Sequence, residues 1–214
     1  MAYKHIKTNG IGWLRDFEGT DAWYWGTDYT DGDLYEAEEL FSDGHRINKN
    51  RLIFVSYPEG AVYEPVKSKE GQYFGNAVFY EDSIFFLLAD FNERELLIYK
   101  YVPGALEASV YERLSLESVK NCYNLMLEIS PLTLTRQGDE GRFQVVWPDK
   151  GDFEIEPSES FDMRDGDRLI FSKWFEDPDY REEIVVRKYP SGEVIKQLKG
   201  SLKHMPDGQK WILE

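Results

Sequence analysis

Short runs of β-branched and aromatic residues alternate with polar turn residues along almost the whole chain. The strongest are Arg51-Leu-Ile-Phe-Val-Ser-Tyr57, Ser83-Ile-Phe-Phe-Leu-Leu88, Glu95-Leu-Leu-Ile-Tyr-Lys-Tyr101, Arg142-Phe-Gln-Val-Val-Trp147, Asp167-Arg-Leu-Ile-Phe171 and Glu183-Ile-Val-Val-Arg-Lys-Tyr189. Each has the length and composition of a β-strand and is bounded by turn residues. Two segments compete as helices. Leu34 to Phe41 is acidic and amphipathic, and in Glu112 to Leu127 the residues Leu114, Leu116, Val119 and Tyr123 fall near helical spacing. Both are expected to be mostly strand and loop.

Five times an aromatic residue is followed, three or four positions on, by a glycine, one further residue and a hydrophobic residue. The copies are Tyr29-Thr-Asp-Gly32-Asp-Leu34, Tyr57-Pro-Glu-Gly60-Ala-Val62, Tyr101-Val-Pro-Gly104-Ala-Leu106, Trp147-Pro-Asp-Lys-Gly151-Asp-Phe153 and Tyr189-Pro-Ser-Gly192-Glu-Val194. Each sits between strand-like runs and offers the glycine that a tight hairpin needs where φ is positive. From Tyr57 to Tyr101 is 44 residues, from Tyr101 to Trp147 is 46, and from Trp147 to Tyr189 is 42. Each interval has room for about four strands.

In this respect the stretch from Leu52 to Ile212 resembles β-propeller repeat proteins, at the level of the fold and without a WD dipeptide or a kelch glycine pair. The resemblance implies an all-β, antiparallel fold of hairpin repeats with four or five propeller-like blades. A double-sheet β-sandwich is the alternative that uses the same hairpins. Tyr29 to Tyr57 is only 28 residues, so the first unit is expected to be truncated. Ile11-Gly-Trp-Leu14 and Lys210-Trp-Ile-Leu213 would then complete one shared blade. No linker or low-complexity tract interrupts the 214 residues, and a single all-β domain over 1–214 is expected.

Charge narrows the partners. With 25 Lys and Arg against 40 Asp and Glu the net charge is −15, which repels nucleic-acid phosphates and anionic lipid surfaces. No nucleic acid and no membrane is expected, and a protein or small cationic ligand is the partner class the charge favours. The polar segment Met1 to Gly10 lacks a following apolar stretch, so no secretory signal is read there. Cys122, the single cysteine, excludes an internal disulfide and fits a reducing compartment, so the expected location is the cytoplasm.

Candidate chemistry is sparse. Asp21 to Asp33 holds four aromatics and four aspartates in thirteen residues. On a strand, Trp23, Trp25 and Tyr29 share one face, and beside Asp28 and Asp31 they could stack on a sugar or enclose a cation. The competing reading packs that face into the core and leaves the aspartates to the turn. Trp174-Phe175, ahead of the polar turn Glu-Asp-Pro-Asp-Tyr180, is a second candidate, for protein contact. Asp28-x-x-Asp31-Gly-Asp33 lacks EF-hand spacing, and His5, His45 and His204 stand apart from one another and from Cys122. No structural metal and no cofactor is expected, and no catalytic residue is assigned. Asp16, Glu128 and Asp165 adjoin strand-like runs, as the acids of a propeller glycosidase would. The expected function is a non-enzymatic binding or scaffold protein presenting an acidic surface. The alternative is a carbohydrate-binding module or glycoside hydrolase.

Overall fold

A computed structural model describes residues 3–205 and 209–214. The chain divides into two compact units, Met1–Leu127 and Glu128–Glu214. In the first unit, β1 (Arg15–Phe17), β2 (Thr20–Thr27), β3 (Leu52–Ser56) and β4 (Val62–Tyr63) form one sheet, with α1 (Leu34–Ser42) inserted between β2 and β3. A second sheet follows from β5 (Gln72–Tyr80), β6 (Ser83–Asp90), β7 (Glu95–Tyr101) and β8 (Ser109–Ser115). The third sheet takes β9 (Leu125–Glu128), where the division between units falls, then β10 (Thr133–Gln137), β11 (Arg142–Trp147) and β12 (Gly151–Glu154). The fourth comprises β13 (Glu159–Asp165), β14 (Arg168–Phe175), β15 (Arg181–Lys188) and β16 (Val194–Lys199), and a hairpin of β17 (Ser201–His204) and β18 (Lys210–Leu213) ends the chain.

In all four sheets the strands lie side by side in chain order, as in the blades of a β-propeller. The fold class is therefore all-β with four propeller-type blades, not five. Among the described residues no sheet borrows a strand from another, as the Greek-key connections of a sandwich would require.

The repeated aromatic-to-glycine motif marks one place in every blade. The Tyr57, Tyr101, Trp147 and Tyr189 copies join the third strand to the fourth in the first, second, third and fourth sheets respectively. Gly60, Gly104 and Gly192 turn at positive φ, as the motif predicts. Gly151 is glycine for space, because a Cβ there would overlap the carbonyl oxygen of Pro190. The Tyr29 copy is not a hairpin at all. It turns through Tyr29, Asp31 and Gly32 at positive φ and delivers the chain to α1.

The helix corrects the expectation for Leu34 to Phe41. Asp33 caps it, its Oδ1 accepting from the amides of Tyr35 at 2.8 Å and Glu36 at 3.3 Å. Leu34 and Ala37 are buried one turn apart, and Leu34 fits against Gly75 of β5, where a Cβ would come within 3.0 Å of it. Glu112 to Leu127 is strand and loop, as expected, with one 3-10 turn at Leu116–Ser118.

The first blade is complete in itself, so neither the truncation nor the shared blade holds. Ile11 and Leu14 instead pack with Ile53 and Val55 on the outer face of the first sheet. Gly26 makes room for them, since a Cβ there would meet the Trp13 carbonyl at 2.6 Å. Lys210 to Leu213 pairs with β17.

Each unit has its own core. In the first, Phe17, Trp25, Leu52 and Phe54 of the first sheet meet Phe74, Ile84, Phe86, Leu88, Leu97 and Tyr101 of the second. Every residue of β6 is buried, which explains its uninterrupted apolar run. In the second unit Phe143 and Val145 meet Leu169, Phe171, Val185 and Tyr189.

Candidate ligand site on the fourth sheet

The residues proposed around Trp23 do not share one surface. Period two holds along β2, and Trp23 and Trp25 both face the first core. Trp25 is 5% exposed and carries the Arg15 guanidinium 5.5 Å from its ring centroid. Trp23 is half-buried, 5.5 Å from Tyr63 and 6.4 Å from Tyr101 between ring centroids. Tyr29 lies beyond the strand end at φ +62 and is 66% exposed. Asp28 is a strut: its Oδ1 accepts from Asn50 Nδ2 at 2.9 Å and from the Arg51 amide at 2.7 Å. Asn50 in turn accepts from the Phe74 amide at 2.6 Å, joining the first sheet to the second. Asp31 pairs with Arg15.

Trp174 and Phe175, adjacent on β14, point to opposite faces of the fourth sheet. Phe175 turns to the core side, where Arg181 lies 4.0 Å and Lys173 5.1 Å from its ring centroid. Trp174 turns the other way and is 43% exposed. Directly across from it on β15 stands Glu182, and opposed residues of an antiparallel pair place their side chains together. Tyr180, two residues before Glu182 and largely exposed, donates its hydroxyl to Glu182 Oε1. That bond raises the Tyr180 pKa.

Behind this pair lies Asp162. The register between β13 and β14 slips between Phe161 and Met163, so Asp162 opposes no residue of β14. Such a bulge re-aims a side chain, and Asp162 accepts a hydrogen bond from Ser172 Oγ, on the same face as Trp174. Burial pushes the Asp162 carboxyl above its ordinary range and Glu182 adds to the rise, while the Ser172 hydrogen bond and His204 of β17 oppose it. One face of the fourth sheet thus gathers an exposed indole, an exposed phenol, two carboxylates, a hydroxyl and an imidazole. It offers negative charge and π faces, and lacks the donor spacing of a metal centre; no group of three or more His, Cys, Asp or Glu suited to a metal occurs among the described residues.

Sequence reasoning reached Trp174 through the aromatic pair ahead of a polar turn. It missed Asp162, Ser172 and Glu182, which come together only through strand register and its bulge, and His204, which β17 brings near Asp162. Asp16 is exposed in the first unit and Asp165 exposed at the end of β13, while Glu128 is partly buried at the end of β9. Cys122 is buried, its amide donating to Glu38 Oε2 at 2.8 Å. Among the described residues no helix is long and apolar enough to cross a membrane. No family model, curated protein or solved structure matches this chain.

Proposed function

We propose that this is a binding protein that takes a cationic group, an alkylammonium or guanidinium carried by a small molecule or a protein side chain, on the Trp174 face of the fourth sheet. The observation that carries the reading is the exposed Trp174 ring opposed across the strands to Glu182, with half-buried Asp162 behind them. A cation above the indole gains the ring quadrupole, and a carboxylate alongside adds a charge-assisted hydrogen bond. The net charge of −15 draws such a ligand in.

The test is titration with putrescine and arginine ethyl ester, followed by tryptophan fluorescence and calorimetry. Saturable binding that weakens about tenfold or more in Trp174→Ala and in Glu182→Gln, with the fold intact by circular dichroism, supports the site. Absence of saturable binding, or binding unchanged in both variants, refutes it.

A second reading draws on the same face. A carboxyl held above its usual range beside a second carboxylate is the pairing that glycoside hydrolysis uses. Turnover on a glycan panel that Asp162→Asn abolishes would favour that reading over simple binding.

A further inference from the structure

The β17–β18 hairpin leaves a strand edge open. β18 reads Lys210-Trp-Ile-Leu213, all four of its residues are exposed, and among the described residues it pairs with β17 alone. Trp211, Ile212 and Leu213 keep 49%, 43% and 51% of their surface in solvent. A hydrophobic strand with a free edge is a template for pairing with another strand, and the usual protections are charge, proline or a cover. Here a single lysine precedes three apolar side chains.

The hairpin's own bonds say which backbone groups are free. The Met205 amide donates to the Gln209 carbonyl at 2.9 Å, and the partners then run His204 with Lys210, Lys203 with Trp211, Leu202 with Ile212 and Ser201 with Leu213. Antiparallel pairs alternate between hydrogen-bonded and non-bonded. Met205 with Gln209 is a bonded pair, so Lys203 with Trp211 and Ser201 with Leu213 are bonded too. The N–H and C=O groups of Lys210 and Ile212 therefore point away from β17, to the open edge, and so do those of Glu214 if the extended backbone continues.

We infer that this edge is the interface for a second copy of the chain, the two β18 strands pairing antiparallel about a twofold axis through Ile212. In that register Ile212 exchanges its two hydrogen bonds with its own copy, Lys210 lies opposite Glu214, and Trp211 lies opposite Leu213. Every outward backbone group finds its match. Both ends carry opposite charges, and the two apolar side chains meet across the strands. An isologous contact of this kind closes on itself, so the product is a dimer and not a fibre. The joined hairpins make one four-stranded sheet whose outer edges are the two β17 strands.

The experiment is sedimentation velocity on the full chain at concentrations from about 1 to about 100 μM, the range in which a contact of this size dissociates, with three variants. Wild type is expected to shift from 25.1 kDa toward twice that mass as concentration rises. Ile212→Pro removes an N–H that β17 does not use and is expected to leave a folded monomer. Lys210→Glu sets one carboxylate against another at both ends and weakens the dimer about tenfold, and adding Glu214→Lys restores it. Wild type that stays monomeric at the top of that range overturns the inference. A dimer indifferent to both Ile212→Pro and Lys210→Glu overturns it equally, because its interface then lies elsewhere.

Discussion

Glu159 and Arg187 form a deeply buried ion pair, and removing one partner tests how the second unit is held together. Arg187 Nη2 donates to Glu159 Oε2 at 2.7 Å, and the side chains are 10% and 1% exposed. Arg187 Nη1 also donates to the Gly192 carbonyl at 2.9 Å, which ties the β15–β16 turn to the sheet. The guanidinium carbon lies 5.5 Å and 5.7 Å from the ring centroids of Phe153 and Phe171. Glu159→Gln keeps the side-chain volume but strands a buried cation among aromatic rings. A buried charge left without its counterion costs about 3–5 kcal/mol. At an m-value of about 2 kcal/mol/M in urea, the midpoint for the second unit falls by about 2 M. Replacing both partners, Glu159→Leu with Arg187→Met, removes the desolvation penalty along with the attraction and is expected to lie within about 2 kcal/mol of wild type, the remainder being the lost Gly192 hydrogen bond. Urea unfolding of wild type, Glu159→Gln and the double variant, followed by fluorescence, makes the comparison. A single-variant loss below about 1 kcal/mol, or a double variant worse than the single one, refutes the reasoning.

Three further outcomes follow from the packing and the charges. Trp25→Ala is expected to destabilise by about 3–5 kcal/mol, while exposed Tyr29→Ala stays within about 0.5 kcal/mol; thermal melts of both check it, and equal effects would contradict the burial. Asp162 is held above the ordinary aspartate pKa of 3.8, so the folded state keeps its proton longer than the unfolded chain and the ionised form weighs against folding as pH rises above 3.8. Asp162→Asn should therefore gain stability relative to wild type across that rise and lose the gain below it, as urea midpoints at stepped pH will show. Glu140 goes the other way. Its bonds to the fully buried Arg136 lower its pKa from 4.5 to about 2, so its contribution is present above 4.5 and disappears as pH falls toward 2, a slope that Glu140→Gln should flatten.

The blade pattern was legible because hairpins leave local marks. The turn from third to fourth strand needs a tight reversal in every sheet, and the same aromatic-to-glycine spacing supplies it four times. The Tyr29 copy is not equivalent to the other four. Tyr29 to Leu34 matches the spacing, yet Asp33 and Glu36 make a helix start of it, an N-cap with acid in the first turn, and that signal was present in the sequence. Counting strands across Tyr29 to Tyr57 then made the first blade look short, when β1 and β2 lie ahead of the interval. Trp23 and Trp25 show the limit of period two: it placed them on one face correctly but could not say that the face meets the second sheet. The Asp162 site was beyond reach, since a bulge is a property of two strands in register and not of either alone.

Strand parity explains why the acidic face is on this sheet. In the register of β13, β14 and β15, Arg164 and Arg187 both oppose Leu169, and Lys173 opposes Glu159 and Glu183, so all three cations fall on the core side. There Arg164 sits 3.4 Å from the Tyr189 ring centroid and donates to Thr133 Oγ1 at 2.7 Å, Arg187 binds Glu159, and Lys173 reaches Glu156 at 2.6 Å. The opposite parity carries Ser172, Trp174 and Glu182, with Asp162 turned toward Ser172 by the bulge. Lys173, Arg164 and Arg187 are thus held off this face by the same alternation that exposes Trp174, while Arg168 and Lys188, which share its parity, oppose each other at the other end of the strands. A slip of β15 by one residue against β14 would turn β15 over, burying Glu182 and exposing Arg187 while Trp174 stays in place, so the indole would lose its carboxylate and gain a cation. The core fixes that register through Phe171 and Val185, which oppose each other and are fully buried. The negative potential of the candidate site is thus a consequence of how the core packs, and substitutions that loosen the Phe171–Val185 pair should weaken cation binding without touching any residue of the site.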